Sequence, residues 1–140
     1  MTIYRNNSDL LNSANTENDV AFSYYKLGQY RKSIELATNA MNQLTRQQDY
    51  NNAGYSMSLK GSCYWQLGMY DSALSSHHAA VALREKSGNW SGQAFSWTRL
   101  GDMYKESGSK KRSLEAYDKA VDIYSKLADS SGLAEVYAAK

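Results

Sequence analysis

Small and apolar residues along the middle of the chain fall at steps of 3, 4, 3 and 4: Gly54, Met57, Gly61, Tyr64 and Gly68. That spacing lays them on one stripe of an α-helix. Ala73, Leu74, His77, Ala80, Val81 and Arg84 make a second stripe of the same period beyond Gly68. Polar residues hold the positions between, so two amphipathic helices are predicted. Gly68 follows Leu67 and separates them, as a left-handed residue at a helix C-terminus does. Asp71 or Ser72 suits the start of the second helix. Ser87-Gly88-Asn89 is a turn signal at its end. Each helix is expected to run about 14 to 17 residues, or roughly 21 to 26 Å.

The pattern then recurs every 40 residues. Gly28, Gly68 and Gly108 align, as do Tyr24, Tyr64 and Tyr104, and Ala40, Ala80 and Ala120. Ala14, Gly54, Ala94 and Ala134 form a column of small residues. Ser33, Ala73 and Ser113 align, with Ile34, Leu74 and Leu114 beside them. Ala37, His77 and Tyr117 align, and Leu10, Tyr50 and Trp90 precede each first helix. Asp49, Asn89 and Asp129 mark the turns between repeats. A fixed period of this size is the signature of a stacked array of supersecondary units. The expected organisation is a polar tail over residues 1–9, repeats at about 10–49, 50–89 and 90–129, and a partial one over 130–140. The fourth cycle halts at Lys140 about halfway through a first helix, and the favoured reading is a piece of a longer array, with a native cap as the alternative.

Composition narrows this further. Proline is absent, which removes the strongest helix breaker, and 42% of the residues are hydrophobic, enough for a core, so the fold class is all-α. The 16 basic and 14 acidic residues leave a net charge of +2, which gives no general reason to bind nucleic acid or an anionic membrane. No apolar run long enough for a transmembrane helix occurs, and Met1 to Asn15 has no signal-peptide core. The single cysteine, Cys63, makes no internal disulfide, which fits a reducing compartment, so a cytoplasmic location is expected.

Trp97, Leu100-Gly101, Tyr104, Gly108, Ser113, Tyr117 and Ala120 resemble the signature of the tetratricopeptide repeat. The middle repeat matches with Met57, Lys60-Gly61, Tyr64, Gly68, Ala73, His77 and Ala80. The first is degenerate, with Glu17, Val20-Ala21, Tyr24, Gly28, Ser33, Ala37 and Ala40. The usual repeat is 34 residues long and often ends in proline, so this 40-residue form is similar to the longer variant. The resemblance covers about residues 10 to 140. It implies an α-solenoid of antiparallel helix pairs wound as a right-handed superhelix, with about three repeats and part of a fourth. It also implies a protein- or peptide-binding scaffold, with the first helices lining the concave face.

On that face the expected ligand contacts are Phe22, Tyr25, Tyr55, Ser58, Ser62, Trp65, Phe95, Thr98, Asp102 and Lys105, with Gln66 and Glu106 beside them. Exposed aromatics among hydrogen-bonding groups are what a peptide groove needs. Tyr55 and Phe95 read first as packing between repeats, while Trp65 and Tyr25 stand open between packing and ligand contact. The Lys-Asn-Arg clamp for a terminal carboxylate is absent, with only Arg99 and Lys105 basic nearby, so chaperone tails are disfavoured. Two other functions stay open: a regulatory input domain of a kinase, cyclase or transcription regulator, and a module that self-associates through an apolar face near Val136 and Tyr137.

No catalytic residue, metal or cofactor is expected. His77 and His78 are neighbours and diverge by about 100° on a helix, so His77 is assigned to packing between helices. Cys63 lacks any base at a recognisable spacing and reads as a buried thiol. Lys105, Lys110, Lys111 and Arg112 read as a solvated basic face, and no Gly-rich phosphate loop or paired carboxylates appear.

Overall fold

The computed structural model describes residues 7–140, with side chains from Ser13 onward. Residues 1–6 of the expected polar tail, and the side chain of Leu10, lie outside the described residues. Seven α-helices follow one another without a strand among the described residues: α1 Asn7–Lys26, α2 Tyr30–Arg46, α3 Tyr50–Gln66, α4 Tyr70–Ser87, α5 Trp90–Glu106, α6 Lys110–Lys126 and α7 Ser130–Ala139. Each helix packs on its successor, and α1 also reaches α3 as α5 reaches α7. The result is an all-α solenoid of three helix pairs, α1–α2, α3–α4 and α5–α6, with α7 beginning a fourth.

All six turns close by one device. In the turn after α3, the Gly68 amide donates to the Trp65 carbonyl and the Met69 amide to Tyr64. This double bond pattern satisfies the last carbonyls of a helix and needs a left-handed residue. Gly28, Gly68 and Gly108 supply it within the pairs at φ of 80°, 77° and 86°. Between the pairs the column holds Gln48, Gly88 and Ala128, and the two non-glycine residues adopt φ of 60° and 54°. A left-handed conformation costs an ordinary residue about 1 kcal/mol or more. Gln48→Gly and Ala128→Gly are therefore each expected to raise stability by about 0.5–1 kcal/mol, read as a higher urea midpoint at unchanged slope. A lower midpoint for both would contradict this account of the turns.

Capping differs between the two kinds of helix. Asp49, Asn89 and Asp129 accept from the amides of Asn52, Gly92 and Gly132, which starts α3, α5 and α7. Neither Asp71 nor Ser72 caps α4: the helix begins at Tyr70 behind Met69, whose side chain makes no capping bond. The reason is the shortness of the turn, since the residue that completes the turn after α3 is already the first flank of α4. Asp71 instead sits in the first turn, where a negative charge meets the positive end of the helix dipole.

Within each pair the contact is a matched set of sizes. A Cβ on Gly101 would lie 2.5 Å from the Tyr117 ring, and one on Gly61 would lie 2.5 Å from His77. In the first pair the same columns hold Ala21 and Ala37, both fully buried. The Ser33 hydroxyl donates to the Ala21 carbonyl at 2.7 Å and the Ser113 hydroxyl to that of Gly101 at 2.8 Å, tying second helix to first. Between pairs, Arg84 reaches from α4 to the Gly92 carbonyl at 3.0 Å and the Ser96 hydroxyl at 2.9 Å. Val136 is fully buried with Ala94, Tyr117, Ala120 and Tyr124, so of the apolar face expected at the end of the chain only Tyr137 is exposed.

Candidate functional site

The first helices α1, α3, α5 and α7 together wall a groove of about 640 Å³. Tyr25 comes from α1, and Ser62, Trp65 and Gln66 from α3. From α5 come Arg99, Asp102, Met103, Lys105 and Glu106, and from α7 the small residues Ala138 and Ala139. The volume is on the scale of ligand-binding clefts, about 300–1,000 Å³.

The two large rings are held from behind. Trp65 leans on Tyr70 with ring centroids 4.5 Å apart, and its indole N–H donates to Glu106 Oε2 at 3.0 Å. Tyr25 rests on Tyr30 at 5.7 Å, and burial raises the pKa of its hydroxyl. Across the groove, the Tyr117 hydroxyl donates to Asp102 Oδ1 at 2.5 Å, and Arg99 donates to Asp102 Oδ2 at 3.2 Å. Burial first, and then this bond, push the Tyr117 hydroxyl well above its ordinary value. Arg99 also lies 3.7 Å from Glu135 on α7. Such partly exposed pairs are worth well under about 1 kcal/mol, so they set geometry more than stability. Lys105 Nζ donates to the Ala139 carbonyl at 2.7 Å, which engages the cation a terminal carboxylate would need.

Five of the ten contacts expected from the sequence therefore meet here: Tyr25, Ser62, Trp65, Asp102 and Lys105. The others do not line this groove. Phe22 is exposed at its edge, stacked 6.2 Å from Tyr25 with Lys26 over its ring. Phe95 is exposed beneath the Arg99 guanidinium at 4.8 Å. Tyr55 is half-buried, and burial raises the pKa of its hydroxyl. Ser58 and Thr98 are corrections: they are only 8% and 2% exposed, and the Thr98 hydroxyl is spent on the Ala94 carbonyl at 3.0 Å. Their column also contains buried Asn18, whose Oδ1 accepts from Ser56 at 2.8 Å, so it is a seam between successive first helices. Met103, Ala138 and Ala139 were missed. On α5 the groove is lined from one position beyond Thr98, by Arg99, with the buried Met103 at its floor, because the 98 column is occupied by packing.

The remaining reactive groups lie elsewhere. His77 is 1% exposed between α3 and α4, and neither ring nitrogen meets a partner among the described residues. Cys63 is fully buried, and burial raises its thiol pKa, which disfavours the thiolate. Among the described residues no three His, Cys, Asp or Glu side chains gather as metal ligands, and no helix is long and apolar enough to cross a membrane.

Comparison with solved structures places this architecture among known helical arrays. The TPR domain of Arabidopsis FLU superposes with a TM-score of 0.73 at 16% identity, covering 86% of this chain and 99% of that one. BtubC (BKLC) from P. vanneervenii superposes with a TM-score of 0.71 at 19% identity, covering 96% of this chain and 64% of that one. At these identities the likeness is one of fold. No curated protein matches the sequence. A tetratricopeptide repeat family model matches residues 12–86 and again residues 55–126, so two overlapping matches run through all three helix pairs. The chain belongs to the tetratricopeptide repeat family.

Proposed function

We propose that this chain is a non-catalytic recognition module that holds an extended segment of a partner protein in the groove walled by its first helices. One observation supports the reading: Tyr25 and Trp65 flank a groove whose charged groups, Arg99, Asp102, Lys105 and Glu106, each already have a protein partner. Charged groups held in this way fix the shape of the groove wall and can orient a ligand. Aromatic side chains braced by neighbours lose little entropy on binding, which is why they dominate interface energetics. Ala138 and Ala139 add apolar surface without bulk, so the groove has room for a partner's side chains.

The test uses a partner recovered by cross-linking to the intact chain. Tyr25→Ala with Trp65→Ala is expected to weaken that partner's binding by at least tenfold, a loss of about 1.4 kcal/mol or more. Circular dichroism of the double variant checks that the helices persist. Unchanged affinity in a folded double variant would remove the groove as the binding site.

A further inference from the structure

The side of α5 that faces away from the first-helix groove carries Trp90, Gln93 and Trp97, at steps of 3 and 4. With Lys119, Asp122 and Ile123 of α6 they bound a second groove of about 440 Å³. The same columns one repeat earlier are filled differently. There Lys86 Nζ rests 4.2 Å over the Tyr50 ring, and Leu83 packs onto the core around Ala53. Three alanines of that repeat, Ala53, Ala79 and Ala82, become Gln93, Lys119 and Asp122 in the third. Asp122 now draws Lys126 to 3.2 Å, and the Trp90 ring, without a cation over it among the described residues, is 53% exposed. Lys119 moves in over Trp97 at 4.2 Å and has no carboxylate within ion-pair distance among the described residues.

Gln93 is the second mark of a site. It lines the groove, is only 8% exposed, and its Oε1 meets no donor among the described residues. A buried acceptor without a partner is a standing cost to a fold. The end torsion of a glutamine is soft, so the amide can turn its oxygen toward an N–H entering the groove. The earlier repeat avoids the issue altogether with Ala53.

We infer that this outer groove of the third repeat is a second binding surface, and that it takes an apolar side chain flanked by carboxylates from a short acidic segment of a partner protein. The charge pattern selects that occupant. Arg112, Lys119 and Lys126 stand at seven-residue steps along α6, opposite Tyr104, Trp97 and Trp90 of the antiparallel α5. Glu115 and Asp122 alternate with them, leaving one positive charge in excess. That balance suits a few carboxylates beside an apolar anchor and does not make the continuous cationic track that a nucleic-acid strand follows. The half-open Trp90 suits a protein segment better than a small molecule, whose sites enclose most of its surface.

The probe is an acetylated, amidated hexapeptide with leucine-phenylalanine between two pairs of aspartates. It is titrated into the ¹⁵N-labelled chain while the indole N–H signals of Trp65, Trp90 and Trp97 are followed, each assigned by its Trp→Phe variant. Saturable shifts of Trp90 and Trp97 with Trp65 unmoved are expected. Lys119→Ala and Gln93→Ala restore the residues of the earlier repeat and so suit the fold; each is expected to weaken binding about tenfold. Replacing the aspartates by lysines is expected to abolish it. The inference is overturned by the absence of saturation, by a shift of Trp65 alone, or by equal affinity in both variants. Saturable shifts with single-stranded oligothymidine and none with the peptide would overturn it in favour of nucleic acid. Because Trp65 reports only on the first-helix groove, failure here leaves the proposed function untouched.

Discussion

Gly101→Ala is expected to destabilise the chain by about 1 kcal/mol, although alanine is the better helix former by a similar amount. The added Cβ would meet three atoms of the Tyr117 ring, at 2.5, 2.6 and 2.9 Å. That ring is 1% exposed and pinned at its far end by the bond from its hydroxyl to Asp102. It has no solvent to retreat into, so either α5 and α6 separate or the bond breaks. Overpacking of this kind costs about 1–3 kcal/mol, which outweighs the helix-propensity gain. The loss of the Asp102 bond would also disturb Arg99 and with it one wall of the groove. Urea denaturation measures the effect, and an unchanged or higher midpoint would mean the ring is free to shift.

The middle pair offers the matching control. Gly61→Ala alone meets His77 at 2.5 Å and the Ala73 carbonyl at 3.2 Å. Gly61→Ala with His77→Ala recreates the Ala21–Ala37 contact of the first pair, which is fully buried and well tolerated there. The double variant is therefore expected to be more stable than the sum of its single changes, because the new methyl occupies space the lost ring vacates.

These columns also explain how far the sequence alone carries. A 40-residue period is visible because each turn needs its left-handed residue and each close contact its glycine, and both demands recur with the repeat. Gly28, Gly68 and Gly108, and Asp49, Asn89 and Asp129 as turn positions, were legible for that reason, while the capping role of the latter three was not. Gln48 and Ala128 were hidden, since neither residue type advertises a positive φ. The groove was half legible. Helical spacing identifies one face of α5, but telling the buried Thr98 from the groove-lining Arg99 requires knowing how the neighbouring helices pack, and that is a property of the stack. The outer groove was invisible for a related reason: Gln93, Lys119 and Asp122 look like ordinary helix surface until the places of Ala53, Ala79 and Ala82 are laid beside them.

Acid is expected to loosen the α3–α4 pair through one residue. His77 is buried at the centre of that contact, and burial first, with Arg99, Arg84 and His78 adding to it, lowers its pKa to about 4 from 6.5. Its two nitrogens have no partner, so the folded chain holds the neutral ring and gains nothing from protonating it. The unfolded chain takes up the proton near pH 6.5. Stability from this group is thus complete above that pH and falls as the pH drops toward the folded value. Such a lowering corresponds to about 3 kcal/mol at full development, most of which is lost by pH 4.5. His77→Phe keeps a planar ring against Gly61, as Tyr117 does against Gly101, and has nothing to titrate. Urea midpoints measured between pH 7.5 and 4.5 should fall more steeply for the parent chain than for the variant. His78, whose pKa is also lowered by burial, is present in both and cancels in the comparison. Parallel pH profiles would remove His77 as the source of acid sensitivity and would mean that its ring finds a proton acceptor as the pair opens.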